Sequence, residues 1–271
     1  MWNYWRASIG VLLHCQTGVW ASECVVALRA ILCLLTTLTM PGALAAEPDW
    51  ADYGQLLQQH LSQRTVSGVR LAWLDYSGLR TDPAWGRVVG QVAAFPENQL
   101  ATRGENLAFH INAYNILAIK MVLDHWQVQS IKDAGNLFRS VWNKPAGRAA
   151  GQETTLDGIE QGILRKLGEP RIHMAIVCAS LSCPDLRFEP YTAKKLNDQL
   201  GAASREYLNN PTKGLRVEKG SVRVSKIFDW FAEDFEPTGG VEAFIARYHP
   251  GLPEGLPVRA DLPYDWSLNG Q

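Results

Sequence analysis

Two cysteines, Cys178 and Cys183, lie within Arg171-Ile-His-Met-Ala-Ile-Val-Cys-Ala-Ser-Leu-Ser-Cys-Pro184, five and ten residues after His173. A thiol is a weak nucleophile at neutral pH unless a neighbouring cation or helix N-terminus stabilises its thiolate, and an imidazole is the commonest means of doing so. His173 beside one of these thiols is therefore the grouping expected of a cysteine hydrolase or acyltransferase acting on an amide or thioester: the imidazole takes the proton and the thiolate attacks the carbonyl. The same residues allow other chemistry. The two thiols can pair as a disulfide, or capture a thiol peptide such as glutathione as a mixed disulfide. They can also join His173 around zinc, although C-x4-C spacing without a second Cys/His cluster makes a poor zinc site. The sequence calls for no metal and no cofactor.

The segment that positions His173 is short, apolar and rich in β-branched residues, and Pro170 bounds it, so residues 172–177 read as a buried strand. In a regular strand His173 and Cys178 face opposite sides, and they meet only across a bulge or bend. Cys183, beyond a loop of small residues, is free of that parity. Cys178 lies nearest the strand end, where α/β sites usually form, and is the preferred nucleophile, with Cys183 the alternative.

The remaining cysteines belong to a different kind of segment. Arg29 precedes an apolar run over residues 30–40, followed by Pro41-Gly-Ala-Leu-Ala45, which has the parts of a secretory signal cleaved after Ala45. The run is short beside the ~20 residues that span a bilayer. The segment before Val25 is one that no signal requires, as if the start codon were assigned too far upstream. Cleavage removes Cys15, Cys24 and Cys33, three of the five cysteines, and carries the other pair into an oxidising compartment, periplasmic or extracellular. A disulfide between them would close a loop so tight that it stabilises less than the ~3 kcal/mol of a fifteen-residue loop.

The 271 residues, 46% hydrophobic and 20% charged, carry a net charge of -1. That balance argues against a nucleic-acid partner and against a membrane surface once the signal is removed, and leaves a small peptide or thiol as the substrate. One domain is expected over residues 46–271, with its core at about 100–235 and a Pro- and Gly-rich capping tail at 237–271.

Helical periodicity predicts helices over 50–61 and 83–95, the second stopped by Pro96, and alternation predicts a strand over 69–76. Residues 105–125 are apolar nearly all the way round, which predicts a central buried helix carrying Glu105 and Asn112 on one stripe, with Asn115 a turn beyond. Thr155 is an N-cap for a helix to about 165, and Thr192 for one over 193–208. Alternation on both sides of Lys219-Gly220 predicts a hairpin, and an amphipathic segment runs from Ile227 toward Phe235.

Taken together, Glu105 to Asn115, Trp142-Asn-Lys-Pro145, Arg171-Ile-His173, Cys178-Ala-Ser-Leu-Ser-Cys-Pro184 and Ser225-Lys-Ile-Phe228 make the chain similar to the DUF547 family, over roughly residues 100–235; Pro263-Tyr-Asp-Trp-Ser267 also resembles its members. His110 departs from the aromatic residue more usual at its place. The resemblance implies an α+β, papain-like or transglutaminase-like fold, with the central helix on a small antiparallel or mixed sheet. It further implies a Glu-His-Cys constellation on Glu105, His173 and a cysteine, with Cys178 the more regular of the two. In that frame Asn112 or a backbone N–H near Ser180 is a candidate oxyanion donor. Lys144 and Arg171 are candidates for holding a substrate carboxylate.

Overall fold

Thr102 and Glu105 start the longest helix among the described residues. The Thr102 hydroxyl accepts from the Glu105 backbone N–H at 3.2 Å, and the Glu105 carboxylate accepts from the Thr102 N–H at 2.7 Å, so two donors that a helix end leaves orphaned are satisfied reciprocally. This helix, Arg103–Asp124, is buried on almost every face, as its unbroken apolar character requires, and the remaining elements are arranged around it. The structure is a computed structural model that describes residues 47–136, 138–253 and 255–271. The expected signal and its cleavage point after Ala45 lie outside the described residues.

In chain order, α1 (Ala51–His60) leads into an antiparallel hairpin, β1 (Leu61–Val66) and β2 (Val69–Leu74). Then come α2 (Tyr76–Thr81), α3 (Pro83–Ala94) with Pro83 at its first position, and the central α4 (Arg103–Asp124). A second hairpin, β3 (Pro145–Ala149) and β4 (Gln152–Thr155), packs on α4 so closely that a Cβ on Gly147, whose φ is +147°, would lie 2.9 Å from Leu117 Cδ2. Thr155 caps α5 (Leu156–Ile159), which continues as a π turn over Glu160–Leu164. After α6 (Leu196–Leu208), β5 (Leu215–Glu218) and β6 (Ser221–Ser225) pair antiparallel about Lys219 and Gly220, both at positive φ. Short helices α7 (Ile227–Trp230) and α8 (Ala232–Phe235), then α9 (Gly240–Tyr248), precede β7 (Val258–Leu262), which joins β6 in parallel. The fold is α+β, with three small sheets among the described residues in place of one. Among the described residues no helix is long and apolar enough to cross a membrane.

Buried side chains form two main clusters. One surrounds α4, and the other gathers Leu208, Val224, Phe228, Phe235 and Phe244 from α6 to α9. The cysteine-bearing segment runs along their seam: Met174 belongs to the second cluster, Ile176 and Cys183 to the first.

Several expectations are corrected. Residues 172–177 do not form a strand, because Pro170 opens a 3-10 turn over Pro170–Met174 that Glu169 caps; the Ala175 and Ile176 N–H groups return to the Ile172 carbonyl, and the alternation of faces does not apply. The helix expected from 193 begins at Leu196, since the Thr192 N–H donates to Gln199 Oε1 and Thr192 is not the cap. Strand β1 was not foreseen. The tail does more than cap: it supplies α9 and β7, and its last residues thread back into the first core.

Candidate functional site

Two asparagines on α4 hold the loop that carries both cysteines. Asn115 Nδ2 donates to the Ala175 carbonyl at 3.0 Å while its Oδ1 accepts from the Val177 N–H at 2.8 Å, standing in for a neighbouring strand. Asn112 does the same at Tyr191, donating to its carbonyl at 2.8 Å and accepting from its N–H at 3.0 Å. The amide expected as an oxyanion donor is thus committed to backbone, which is how a buried asparagine is ordinarily satisfied. The loop between the clamps bends at Ala179, a non-glycine residue with φ +57°. Its outer edge pairs with the tail: Leu181 donates to Ser267, Ser182 to Asp265, and Asn269 back to Ala179.

The bend brings Cys178 and Cys183 together as a disulfide with Cα atoms 6.3 Å apart. The two sulfurs are not equivalent. Cys183 is buried and Cys178 partly exposed. Cys183 Sγ accepts from the Cys178 backbone N–H at 3.0 Å and from the Tyr264 hydroxyl at 3.2 Å. Cys178 Sγ has longer contacts, 3.4 Å to Ser180 Oγ and 3.5 Å to Tyr264 Oη. Burial raises the Tyr264 pKa, so its O–H is retained as a donor. With the sulfurs bonded to each other, neither is a free nucleophile or a zinc ligand. Among the described residues no three His, Cys, Asp or Glu side chains converge as a metal site.

His173 Nε2 lies 2.7 Å from Asp234 Oδ2, and the ring stacks on Phe231 at 4.1 Å between centroids. Arg165 grips the same carboxylate, from Nε at 2.6 Å and from a terminal nitrogen at 2.7 Å. The guanidinium and the imidazole keep Asp234 ionised below the usual range despite partial burial, and burial pushes His173 down to about 4. The imidazole is therefore neutral at pH 7. An ionised carboxylate accepts, so the ring proton is on Nε2 and Nδ1 has the lone pair.

The disulfide and His173 line a cavity of about 110 Å³, together with Glu160, Tyr114 and the rings of Trp142, Trp230, Phe231, Tyr264 and Trp266. Glu160 sits at the start of the π turn, a distortion frequent at functional sites. Burial pushes its carboxyl up to about 7, against a hydrogen bond from Tyr114. A larger open groove of about 950 Å³, lined by Arg64, Arg70, Arg187 and Arg205 among others, includes none of these groups.

The other expected site residues are engaged elsewhere. Glu105 remains in the capping box of α4, and Asp234 is the carboxylate on His173. Lys144 Nζ donates to the Ala134 carbonyl. Arg171 forms a two-pronged pair with Glu169, at 2.7 and 2.8 Å, and also binds Asn197. Ser180 is buried beside Cys178 and Tyr264. Glu160, Asp234 and Trp230 were missed, while Trp142, Tyr264 and Trp266 were singled out only as parts of family-like stretches, with no role at the site. Glu160 had a signal, a charged residue on the inward stripe of Leu156, Ile159, Ile163 and Leu164; Asp234 and Tyr264 reach the site only through long-range folding.

No curated protein and no solved structure matches the chain. Residues 98–208, from just before α4 to the end of α6, match the model of the family described as Protein of unknown function, DUF547. Both cysteines, His173 and Glu160 fall within the match, whereas Asp234 and Tyr264 come from beyond it, and residues 98–208 of this chain are a DUF547 domain.

Proposed function

We propose that the cleft exchanges its disulfide with the thiol of a small peptide-like substrate. The substrate thiolate attacks Cys178 Sγ, the Cys178–Cys183 bond breaks, and its electron pair leaves on Cys183, giving a mixed disulfide at Cys178 and a thiolate at Cys183. The observation that carries this reading is the asymmetry of the two sulfurs. Cys183 already has two hydrogen-bond donors where negative charge would develop, the Cys178 N–H at 3.0 Å and Tyr264 Oη at 3.2 Å; donors placed in advance at a developing charge lower the barrier. Cys178, the sulfur to be attacked, is the more accessible. Attack of the Cys183 thiolate on Cys178 Sγ reverses the sequence, re-forming the disulfide and releasing the substrate thiol, whereas attack of a second thiol on the substrate sulfur carries it off as a disulfide and leaves both cysteines reduced.

The test is exchange of the oxidised full chain with glutathione, quenched in acid and read by mass spectrometry. Cys183→Ser, whose Cys178 is a free thiol, is expected to take up glutathione from glutathione disulfide, releasing one glutathione thiol, and to retain the adduct at Cys178; Tyr264→Phe is expected to slow exchange of the native disulfide about 100-fold, the size expected for loss of one donor to a developing charge. Exchange no faster than with an unstructured peptide disulfide would overturn the reading.

A cysteine hydrolase of the reduced protein is the second reading, and the His173–Asp234 pair favours it. In it a freed thiol passes its proton to the imidazole, which Asp234 orients in the role the family resemblance assigns to Glu105. A papain-like or transglutaminase-like relationship fits an α+β fold whose buried helix braces a cysteine loop. Export through the N-terminal signal fits a cleft closed by a disulfide, which persists in oxidising compartments.

A further inference from the structure

Among the described residues that line the cavity, Glu160 is the one carboxylic acid, and burial places its ionisation at about pH 7. Tyr114 and Tyr264 are held protonated by burial, His173 is held neutral, and the paired sulfurs have no charge. Trp142, Trp230, Tyr264 and Trp266 line the same cavity as Glu160, packed on one another with centroids 4.6 to 5.7 Å apart. Aromatic faces are electron-rich, and rings around one carboxylate suit an ammonium group. Trp266 already has such a neighbour, with Lys132 Nζ 3.6 Å from its ring centre.

Size limits the ligand. A cavity of about 110 Å³ is smaller than the ~150 Å³ void that admits one benzene molecule, so it takes a unit of a few heavy atoms. The disulfide and Glu160 line the same small space, so a ligand touching both has its sulfur and its cation close together along its own chain.

We propose that the thiol taken by this cleft is a 1,2-aminothiol, either free or as the N-terminal cysteine of a peptide, with its ammonium held by Glu160 among the tryptophan rings and its sulfur delivered to Cys178. The thiol half rests on the exchange reading above; the cation half does not. The step is the same: the thiol loses its proton to water, its sulfur bonds to Cys178, and Cys183 leaves as thiolate. Peptide beyond the first residue departs past Trp230, which is 42% exposed. Preference for the cation strengthens from pH 6 to pH 8 as Glu160 ionises. Asp157 and Asp234 oppose that ionisation, Arg165 and Tyr114 favour it, and neutral His173 adds no charge.

The oxidised full chain is reacted with cysteamine, 2-mercaptoethanol and 3-mercaptopropionate, each rate divided by that of the same thiol with a linear peptide disulfide. Cysteamine is expected to lead 2-mercaptoethanol by about tenfold, the equivalent of one charge-assisted contact, and the ratio to fall toward one in Glu160→Gln. A Cys-Ala dipeptide that exchanges as fast as cysteamine assigns the ligand to peptide N-termini; a slower one assigns it to the free aminothiol. Independently of exchange, ethylammonium is titrated against tryptophan fluorescence, with binding expected in wild type and lost in Glu160→Gln. Equal corrected rates for the three thiols, with no ethylammonium binding, would overturn the proposal and leave disulfide exchange intact. Ethylammonium binding without exchange by any thiol would overturn the exchange reading and the aminothiol assignment with it, and leave only a cation site.

Discussion

His173 Nε2 and Asp234 Oδ2 lie 2.7 Å apart although 61 residues separate them in the chain. The contact joins the 3-10 turn before the cysteine loop to α8, and Arg165 completes it from the segment after the π turn. Asp234→Asn leaves a partly buried guanidinium without its main partner. It is expected to cost about 2 kcal/mol in urea unfolding at pH 7, below the 3–5 kcal/mol of a fully buried pair, because part of the group meets solvent.

Two buried groups in the cleft give stability opposite dependences on pH. The folded pKa of His173 falls from 6.5 to about 4, so the unfolded chain binds its proton first and stability declines as pH drops from 6.5 toward 4. The folded pKa of Glu160 rises from 4.5 to about 7, so its contribution is complete below 4.5 and is lost as pH rises through 7. Glu160→Gln removes the second effect. Its stability relative to wild type is expected to be about 2 kcal/mol higher at pH 8 than at pH 5, read from urea midpoints at each pH.

Asn115→Ala removes two hydrogen bonds and leaves the Ala175 carbonyl and Val177 N–H buried without partners. Loss of about 2–4 kcal/mol is expected, with faster hydrogen exchange at Val177 and Cys178 than in the hairpin β1–β2.

Reduction opens a link between residues five apart in sequence. The chain-entropy relation gives about 2 kcal/mol for so short a loop. The two asparagine clamps and the tail remain, so the reduced protein is expected to melt lower by several degrees and still cooperatively. Melting that is unchanged by a phosphine reductant, or a complete loss of cooperativity, would contradict this.

Gly270 lies where an added Cβ would meet the Leu74 carbonyl oxygen and the Tyr76 ring. Gly270→Ala is expected to loosen the tail that carries Tyr264, destabilising by about 1–3 kcal/mol, the usual cost of overpacking. It should also weaken protection of Cys183, measured as a faster rate of alkylation after reduction.

The sequence made legible those parts of the fold that local chemistry decides. The capping box and unbroken apolar run of α4, Pro83 opening α3, and Lys219-Gly220 turning β5 into β6 are all settled within a few residues. The cysteines and His173 were found because they lie close together in one segment. The strand reading of 172–177 failed because β-branched residues indicate burial as much as extension, and here Asn115 supplies the partner that a sheet would have given. Asp234 was illegible because it is an ordinary surface-compatible residue until the second core brings it to the seam, and Tyr264, though within a stretch that resembles the family, has no role that its local sequence assigns.

The two clamps give the scaffold a modular character. Residues 175–177 and 191 are fixed by side chains of α4 whatever lies between them, so the intervening stretch behaves as an insert held at both ends. Changing its length by a few residues costs the slowly growing entropy of closure together with any pairing to the tail at 179–182 and any burial of Cys183 and Leu186 that the change displaces, while the helix beneath keeps both ends in place.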